Sequence, residues 1–220
     1  MKIYDCASSP NSRKVRALAY ELELTPTFVT LNVFRGEHKK SLELAAKNRN
    51  RKLPVLEDEG IVLWESNAIL NYLAGLRPER DLSPTTPRRR AEVERWLFWQ
   101  TAHLGPAITK VAVERFMKKL AGRGEPDQAA VEAGVAEFAM YSAVLEQELA
   151  RREFVAGELS VADFALWGYF ALRGVAQLDV SSYPNVSSWL TRIESRSSVK
   201  AAIADAQHLI EQTRAAASPS

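Results

Sequence analysis

The chain of 220 residues contains one cysteine, Cys6, so it cannot close a disulfide on itself. A small fold held by disulfide staples is excluded, and a reducing compartment is the natural setting. No run of about 18 apolar residues occurs, so no membrane-spanning helix is expected. No apolar segment follows Met1-Lys2-Ile3-Tyr4, so a secretory signal is not expected either, and the cytoplasm is the anticipated location. An excess of charge of one sign is also missing. The net charge is +2, too small to argue for nucleic acid or an anionic membrane as partner. Internal repeats and low-complexity tracts are absent.

What remains is an ordinary globular composition, 46% hydrophobic and 25% charged, on a chain long enough to bury a core without metal or disulfide. The basic residues gather locally, in Lys47-Asn48-Arg49-Asn50-Arg51-Lys52 and Arg88-Arg89-Arg90. Such runs are either solvated helix ends or a place for a small anionic ligand.

The two halves differ in texture. Residues 1–76 mix short strand and helix signals. A strand is expected over residues 1–5. Ser9-Pro10-Asn11-Ser12 then opens a helix on which Val15, Leu18, Ala19 and Leu22 recur at helical spacing. Residues 27–32 alternate as a second strand, and residues 36–50 read as a polar loop with a short helix. Residues 53–57 and 61–63 flank Asp58-Glu59-Gly60, a hairpin turn. Ala68, Ile69, Tyr72 and Leu73 mark a helix that stops near Gly75 and Pro78.

This order, β-α-β-α-β-β-α, implies a thioredoxin-like domain with a mixed four-stranded sheet. Residues 77–86 read as a linker. Residues 87–220 are helical in pattern, an all-helical domain of five helices: one over 87–119 kinked at Gly105-Pro106, then 127–152, 161–175, 183–196 and 199–214. The fold class is thus α/β followed by all-α.

Three places carry chemistry. Ser8-Ser9-Pro10-Asn11-Ser12 lies where the first strand gives way to the first helix. Unpaired N–H groups and a partial positive charge there favour a phosphate, carboxylate or thiolate. Redox members of the thioredoxin-like fold have a Cys-x-x-Cys pair at this place. Hydroxyls stand here instead, so a reactive thiol must come from a ligand. A hydroxyl can donate to a bound thiolate and lower its pKa. A drop of about two units from roughly 8.5 needs about 2.7 kcal/mol. One hydrogen bond to a charged group supplies about 1.5–3 kcal/mol and the helix terminus about 0.3–1 kcal/mol, so no metal or histidine base is required. The competing reading is that Ser9 or Ser12 only caps the helix.

The second place is Lys52-Leu53-Pro54-Val55-Leu56. A cis bond before Pro54 would leave the N–H and C=O of Leu53 free to pair with an extended peptide, whereas a trans proline would be a simple turn. The third is Glu65-Ser66-Asn67 at the start of the next helix. Ser66 and its neighbouring N–H groups suit a carboxylate and Glu65 suits an ammonium, the two charges of an amino-acid head group, although Ser66 can also be a mere cap. A thiol site, a peptide-pairing edge and a head-group site follow in the order that a γ-Glu-Cys-Gly tripeptide needs.

Residues 52–58 and 63–73, LeuTrpGluSerAsn at their centre, resemble the glutathione-site signature of cytosolic glutathione S-transferases. Residues 154–163 resemble that family's buried capping box, in which Ser160 caps a helix and Asp163 reaches back. Tyr183-Pro184-Asn185-Val186, with Trp189 and Arg192, is similar to the helix that follows it there. The resemblance spans essentially the whole chain.

It implies that Ser9 holds the catalytic position of the serine-type classes, theta-like and delta-like, with Asn11 as a second thiol contact. Tyr4 and Cys6 fall before the matching positions and read as core. The stretch from Ser9 to Val15 also resembles the bacterial nu-like subgroup, whose members are glutathione-dependent disulfide reductases. Glycyl-carboxylate contacts fall at His38, Arg51 and Lys52, the backbone contact at Leu53 before Pro54, and the γ-glutamyl contacts at Glu65 and Ser66. Arg49 replaces a proline usual in the family, which leaves the shape of the loop before Lys52 open. Trp99, His103, Leu104 and Phe116 are the candidates for the second substrate, although aromatic residues on such a helix can equally be core. The expected activity is transfer of the glutathione thiolate to small electrophiles, as in detoxification. The alternatives are glutathione-dependent disulfide reduction and a non-catalytic glutathione-binding or scaffolding role. The resemblance further implies a homodimer with glutathione as co-substrate, and no metal.

Overall fold

Strand β1 (Lys2–Asp5) lies inside a four-stranded sheet, which is why Ile3, Tyr4 and Asp5 are all buried although they alternate in direction. The computed structural model describes residues 1–120 and 122–215. β1 pairs in parallel with β2 (Thr27–Thr30) and antiparallel with β3 (Val55–Asp58), which pairs antiparallel with β4 (Ile61–Trp64). The order β2-β1-β3-β4 is the mixed sheet expected of a thioredoxin-like domain. The β3–β4 turn places Glu59 and Gly60 at φ of 44° and 86°. Both central residues at positive φ is the turn geometry that matches strand twist.

Helix α1 (Pro10–Glu21) has Pro10 in its first turn and buries Val15, Leu18 and Ala19. The segment expected as a loop with one short helix contains two, α2 (Glu37–Lys40) and α3 (Leu42–Lys47), the second capped by the Ser41 hydroxyl. Helix α4 (Ser66–Gly75) buries Ile69, Leu70 and Leu73.

The chain forms two compact units. The first comprises Met1–Arg80 together with the chain from Ser195 onward, where helix α12 (Ser197–Ala215) follows. By its helical pattern this last helix belongs with residues 87–220. In the structure it packs on α1. Ala206 and Leu209 share a core cluster with Cys6 and Ala7. Arg16 bonds to the buried Asp5 and at 2.7 Å to Asp205, and Glu21 receives Arg196 Nε at 3.0 Å and the Ser198 hydroxyl at 2.6 Å. An amphipathic pattern shows that a helix buries one face but does not say against which partner.

The second unit, Asp81–Glu194, is helical. Its helices are α5 (Pro87–Trp99), α6 (Gly105–Ala112), α7 (Lys118–Leu120), α8 (Gln128–Leu149), α9 (Val161–Phe170), α10 (Arg173–Ala176) and α11 (Pro184–Glu194). The path from Pro87 to Leu120 is almost continuous, but π-helical turns at Gln100–Leu104 and Val113–Met117 interrupt it. The first lies immediately before Gly105-Pro106. Proline lacks an N–H and its ring crowds the preceding turn, and a widened turn absorbs both defects. Gly134 lets α8 approach α6: a Cβ there would stand 2.6 Å from Val111 Cγ2.

The capping box is present as expected. The Ser160 hydroxyl accepts from the Ala162 N–H at 3.3 Å, and Asp163 accepts from the Ser160 N–H at 2.9 Å. Among the described residues no helix is long and apolar enough to cross a membrane.

Candidate functional site

β1 ends at Asp5, and residues 6–9 turn the chain into α1. The turn closes through the Ser9 N–H, which donates to the Cys6 carbonyl at 2.8 Å. Its hydroxyls have separate duties. Ser12 is buried and its Oγ accepts from the Cys6 N–H at 3.1 Å. Ser8 Oγ faces Cys6 Sγ at 3.2 Å. Ser9 is the N-cap residue by backbone geometry, φ −74° and ψ 135°, yet its side chain makes no capping bond. The simple-cap reading therefore does not describe Ser9. Ser8 and Ser12 are already engaged within the turn. The buried Arg13 braces the same turn, donating to the carbonyls of Ala7 and Ser8 at 3.4 and 3.3 Å.

Ser9 opens on a cavity of about 590 Å³. Four of the residues named from the sequence, His38, Arg51, Lys52 and Leu53, line it with Ser9. Val33, Lys39 and Asn50 line it as well; Asn50 belongs to the basic run of residues 47–52, whereas nothing in the local pattern of Val33 and Lys39 distinguishes them from ordinary surface positions. The described lining residues include three side chains that carry positive charge, Lys39, Arg51 and Lys52, and no carboxylate, so the cavity suits an anion. His38 Nδ1 is buried and has no hydrogen-bond partner among the described residues. Burial, and then the neighbouring Lys39, push the His38 pKa below its ordinary value, so its ring is neutral at pH 7.

The loop with Arg49 in place of proline is held by Asn48. That buried side chain donates to the Lys52 carbonyl at 3.0 Å and accepts from the Asn50 N–H at 3.0 Å. Arg51 sits at φ 51°, and its guanidinium donates to the Lys39 carbonyl, which ties this loop to α2.

The Leu53–Pro54 peptide is cis. Neither the N–H nor the C=O of Leu53 takes part in a backbone hydrogen bond among the described residues. Pro54 itself is buried and serves the bend rather than the cavity.

Glu65, Ser66 and Asn11 do not line the cavity; they gather where α1 and α4 begin. Glu65 precedes α4 with φ 73° and ψ 108°, a conformation that a side-chain-bearing residue adopts at a cost of about 1–3 kcal/mol. Such strain is kept where the surrounding structure needs the residue aimed in one direction, and it is typical of binding sites. Ser66 Oγ donates to Asn11 Oδ1 at 3.1 Å. Beside them Lys14 is buried and donates to Asn67 Oδ1 at 2.6 Å. Burial pushes its pKa down to about 7, against the opposing pull of the Glu65 carboxylate. The sequence shows Lys14 only as a member of the Ser9–Val15 stretch; its burial comes from how α1 packs on α4.

Tyr4 is core, as expected: it is buried and its hydroxyl bonds to Glu43 and, at 3.2 Å, to Glu57. In the helical unit, Trp99, His103 and Tyr141 form an aromatic cluster with ring centroids 5.4–6.3 Å apart. Leu104 is a correction. It is wholly buried in the core of this unit, so its side chain has no face for a substrate. Phe116 lies half-buried in the second π-helical turn.

Comparison with known proteins agrees with this geometry. The family described as "Glutathione S-transferase, N-terminal domain" matches residues 1–75, and "Glutathione S-transferase, C-terminal domain" matches residues 104–197. Glutathione S-transferase D7 of Drosophila melanogaster is 30% identical over 193 residues, 86% of this chain and 82% of that protein. The disulfide-bond oxidoreductase YfcG of Escherichia coli K12 is 31% identical over 209 residues, 91% of this chain and 94% of that protein. The crystal structure of a glutathione S-transferase from Pseudomonas fluorescens superposes with a TM-score of 0.80 at 30% identity, covering 90% of this chain and 96% of that one. Two domain families in the expected order, on a thioredoxin-like unit with a cis proline and a cationic cavity at the first helix, identify the chain as a member of the glutathione S-transferase family.

Proposed function

We propose that this protein binds glutathione and transfers its sulfur to small electrophilic compounds. The observation that carries the reading is Ser9. It is a hydroxyl at a helix N-terminus that makes no capping bond, and it lines a cavity whose ionised side chains are cationic. In this reading the Ser9 hydroxyl donates to the glutathione sulfur and Asn11 is a second donor. The N–H and C=O of Leu53 pair with the cysteinyl backbone. The first-turn N–H groups of α4, that of Ser66 foremost, receive the γ-glutamyl carboxylate, and Glu65 faces its ammonium. His38, Arg51 and Lys52 take the glycyl carboxylate.

The thiol proton leaves to solvent on binding. The thiolate then attacks the electrophilic carbon, the C–S bond forms, and the leaving group departs with its electron pair. No metal is needed for either step, because the charge that develops is already on sulfur. The second substrate is assigned to Trp99, His103 and Phe116, which are the remaining exposed or half-buried members of the set implied by family resemblance. The working form is proposed to be a cytoplasmic homodimer, the common closed assembly for such chains.

A second reading is favoured by the similarity to YfcG, a disulfide-bond oxidoreductase. The same thiolate would attack a disulfide sulfur, displace one thiolate, and leave a mixed disulfide that a second glutathione resolves to oxidised glutathione. Turnover of a halogenated nitrobenzene and of a mixed disulfide, each with glutathione, separates the two. Faster turnover of the aryl halide supports transfer, and turnover of the disulfide alone overturns it in favour of the reductase. Loss of both, with glutathione still bound, would leave only a binding role.

A further inference from the structure

The beginnings of α1 and α4 are joined by polar side chains at two levels. Ser66 Oγ donates to Asn11 Oδ1 at 3.1 Å, and three residues further along α1, Lys14 Nζ donates to Asn67 Oδ1 at 2.6 Å. Residues three apart share a helix face, so both contacts lie on one side of α1, while Ser66 and Asn67 are consecutive in the first turn of α4. Ser66 and Lys14 are buried, which partly shields both bonds from water. An asparagine amide has two unlike ends. Its oxygen only accepts and its nitrogen only donates. A hydroxyl that holds Oδ1 therefore constrains where Nδ2 points, and Nδ2 is the end that can donate to an anion.

We propose that Ser66 is a positioning residue for Asn11: its hydroxyl orients the amide so that Nδ2 serves as the second donor to the glutathione sulfur. The proposal rests on the reading above, in which Asn11 contacts the sulfur and the Ser66 N–H meets the γ-glutamyl carboxylate. It adds that one residue acts at both ends of the ligand, its N–H on the head group and its hydroxyl, through Asn11, on the thiol. The Lys14–Asn67 contact keeps the two helix ends in register while this happens.

The test is the pKa of the bound thiol, read from the ultraviolet absorbance of the thiolate at saturating glutathione. The proteins compared are wild type, Ser66→Ala, Ser66→Thr, Asn11→Ala and the double variant Asn11→Ala/Ser66→Ala. Ser66→Ala and Asn11→Ala should each raise the bound thiol's pKa by about one unit, the worth of one hydrogen bond to a charged group. The double variant should rise no further than either single one, and Ser66→Thr should restore the wild-type value. A Ser66→Ala protein whose bound thiol titrates as in wild type overturns the proposal, as does full additivity in the double variant. Both outcomes leave the glutathione reading intact. A wild-type protein that does not lower the thiol pKa at all removes that reading, and this proposal with it.

Discussion

The indole N–H of Trp189 donates to the carboxylate of Asp163 at 3.0 Å in the interior of the helical unit. The same carboxylate accepts from the N–H groups of Val155 and Ser160 at 3.1 and 2.9 Å and from the Ser160 hydroxyl at 3.2 Å. Burial pushes the Asp163 pKa up to about 6, although every one of these bonds pulls it down. One side chain thus satisfies the start of α9, the preceding loop and the indole of α11. Asp163→Ala leaves three buried N–H groups without an acceptor, each worth about 1–3 kcal/mol. The variant should lose roughly 3 kcal/mol or more of stability in thermal or urea unfolding, and Asp163→Asn should lose less.

Lys14 makes stability depend on pH above neutrality. In the folded protein it titrates near 7, and unfolded at its ordinary value of 10.5. Between those values the unfolded state binds the extra proton, so stability should rise with pH by at most about 1.4 kcal/mol per unit. Urea unfolding of wild type and Lys14→Met at pH 7 and pH 9 isolates the effect. The wild type should gain on the order of 2 kcal/mol over the variant, and parallel curves would show that Lys14 does not titrate in this range.

The terminal helix is a structural part of the thioredoxin-like unit. Glu21 is buried, and the opposing effects of Arg196 and Ser198 outweigh burial and hold its pKa below the usual carboxylate value. Arg196→Ala should destabilise the protein by roughly 1–3 kcal/mol, because Glu21 keeps only Ser198 and the more distant Arg80. The stabilising contribution is present above the ordinary glutamate pKa and lost as pH falls below it. The difference between wild type and variant should therefore shrink in acid. A chain ended at Glu194 should lack the cooperative unfolding of the first unit, measured by near-ultraviolet circular dichroism.

At the cationic end of the cavity, Arg51→Ala and His38→Ala should each weaken glutathione binding by about threefold to tenfold, equivalent to about 0.7–1.4 kcal/mol, with turnover at saturation unchanged. His38 is neutral at pH 7 because burial depresses its pKa. As the pH falls and the ring becomes cationic, the wild type should gain affinity relative to His38→Ala. Intrinsic fluorescence titrations of both proteins from pH 7 downward should show their affinity ratio widen.

Much of this was legible in the sequence because local chemistry dictates it. The hairpin at Glu59-Gly60, the Ser160–Asp163 box and the bend at Pro54 are short-range signals, and the structure contains each of them. Ser9, His38, Arg51, Lys52 and Leu53 were named from the sequence and line one cavity. What was missed depends on packing between distant segments. The side of α1 that receives α12 joins residues 189 positions apart, Arg16 and Asp205. Leu104 is named by the family resemblance, which does not say which way a side chain turns, and the turn in which it sits points it into the core. Lys14 and Lys39 look like any surface lysines until the fold buries the first and turns the second onto the cavity.

The most direct test of the account is the ionisation of glutathione bound to Ser9. At saturating glutathione, the wild-type protein should hold the thiol about two units below its free value of roughly 8.5, and Ser9→Ala should return it upward by about one unit or more while still binding the tripeptide. Identical titration curves for the two proteins would contradict the role given to the Ser9 hydroxyl.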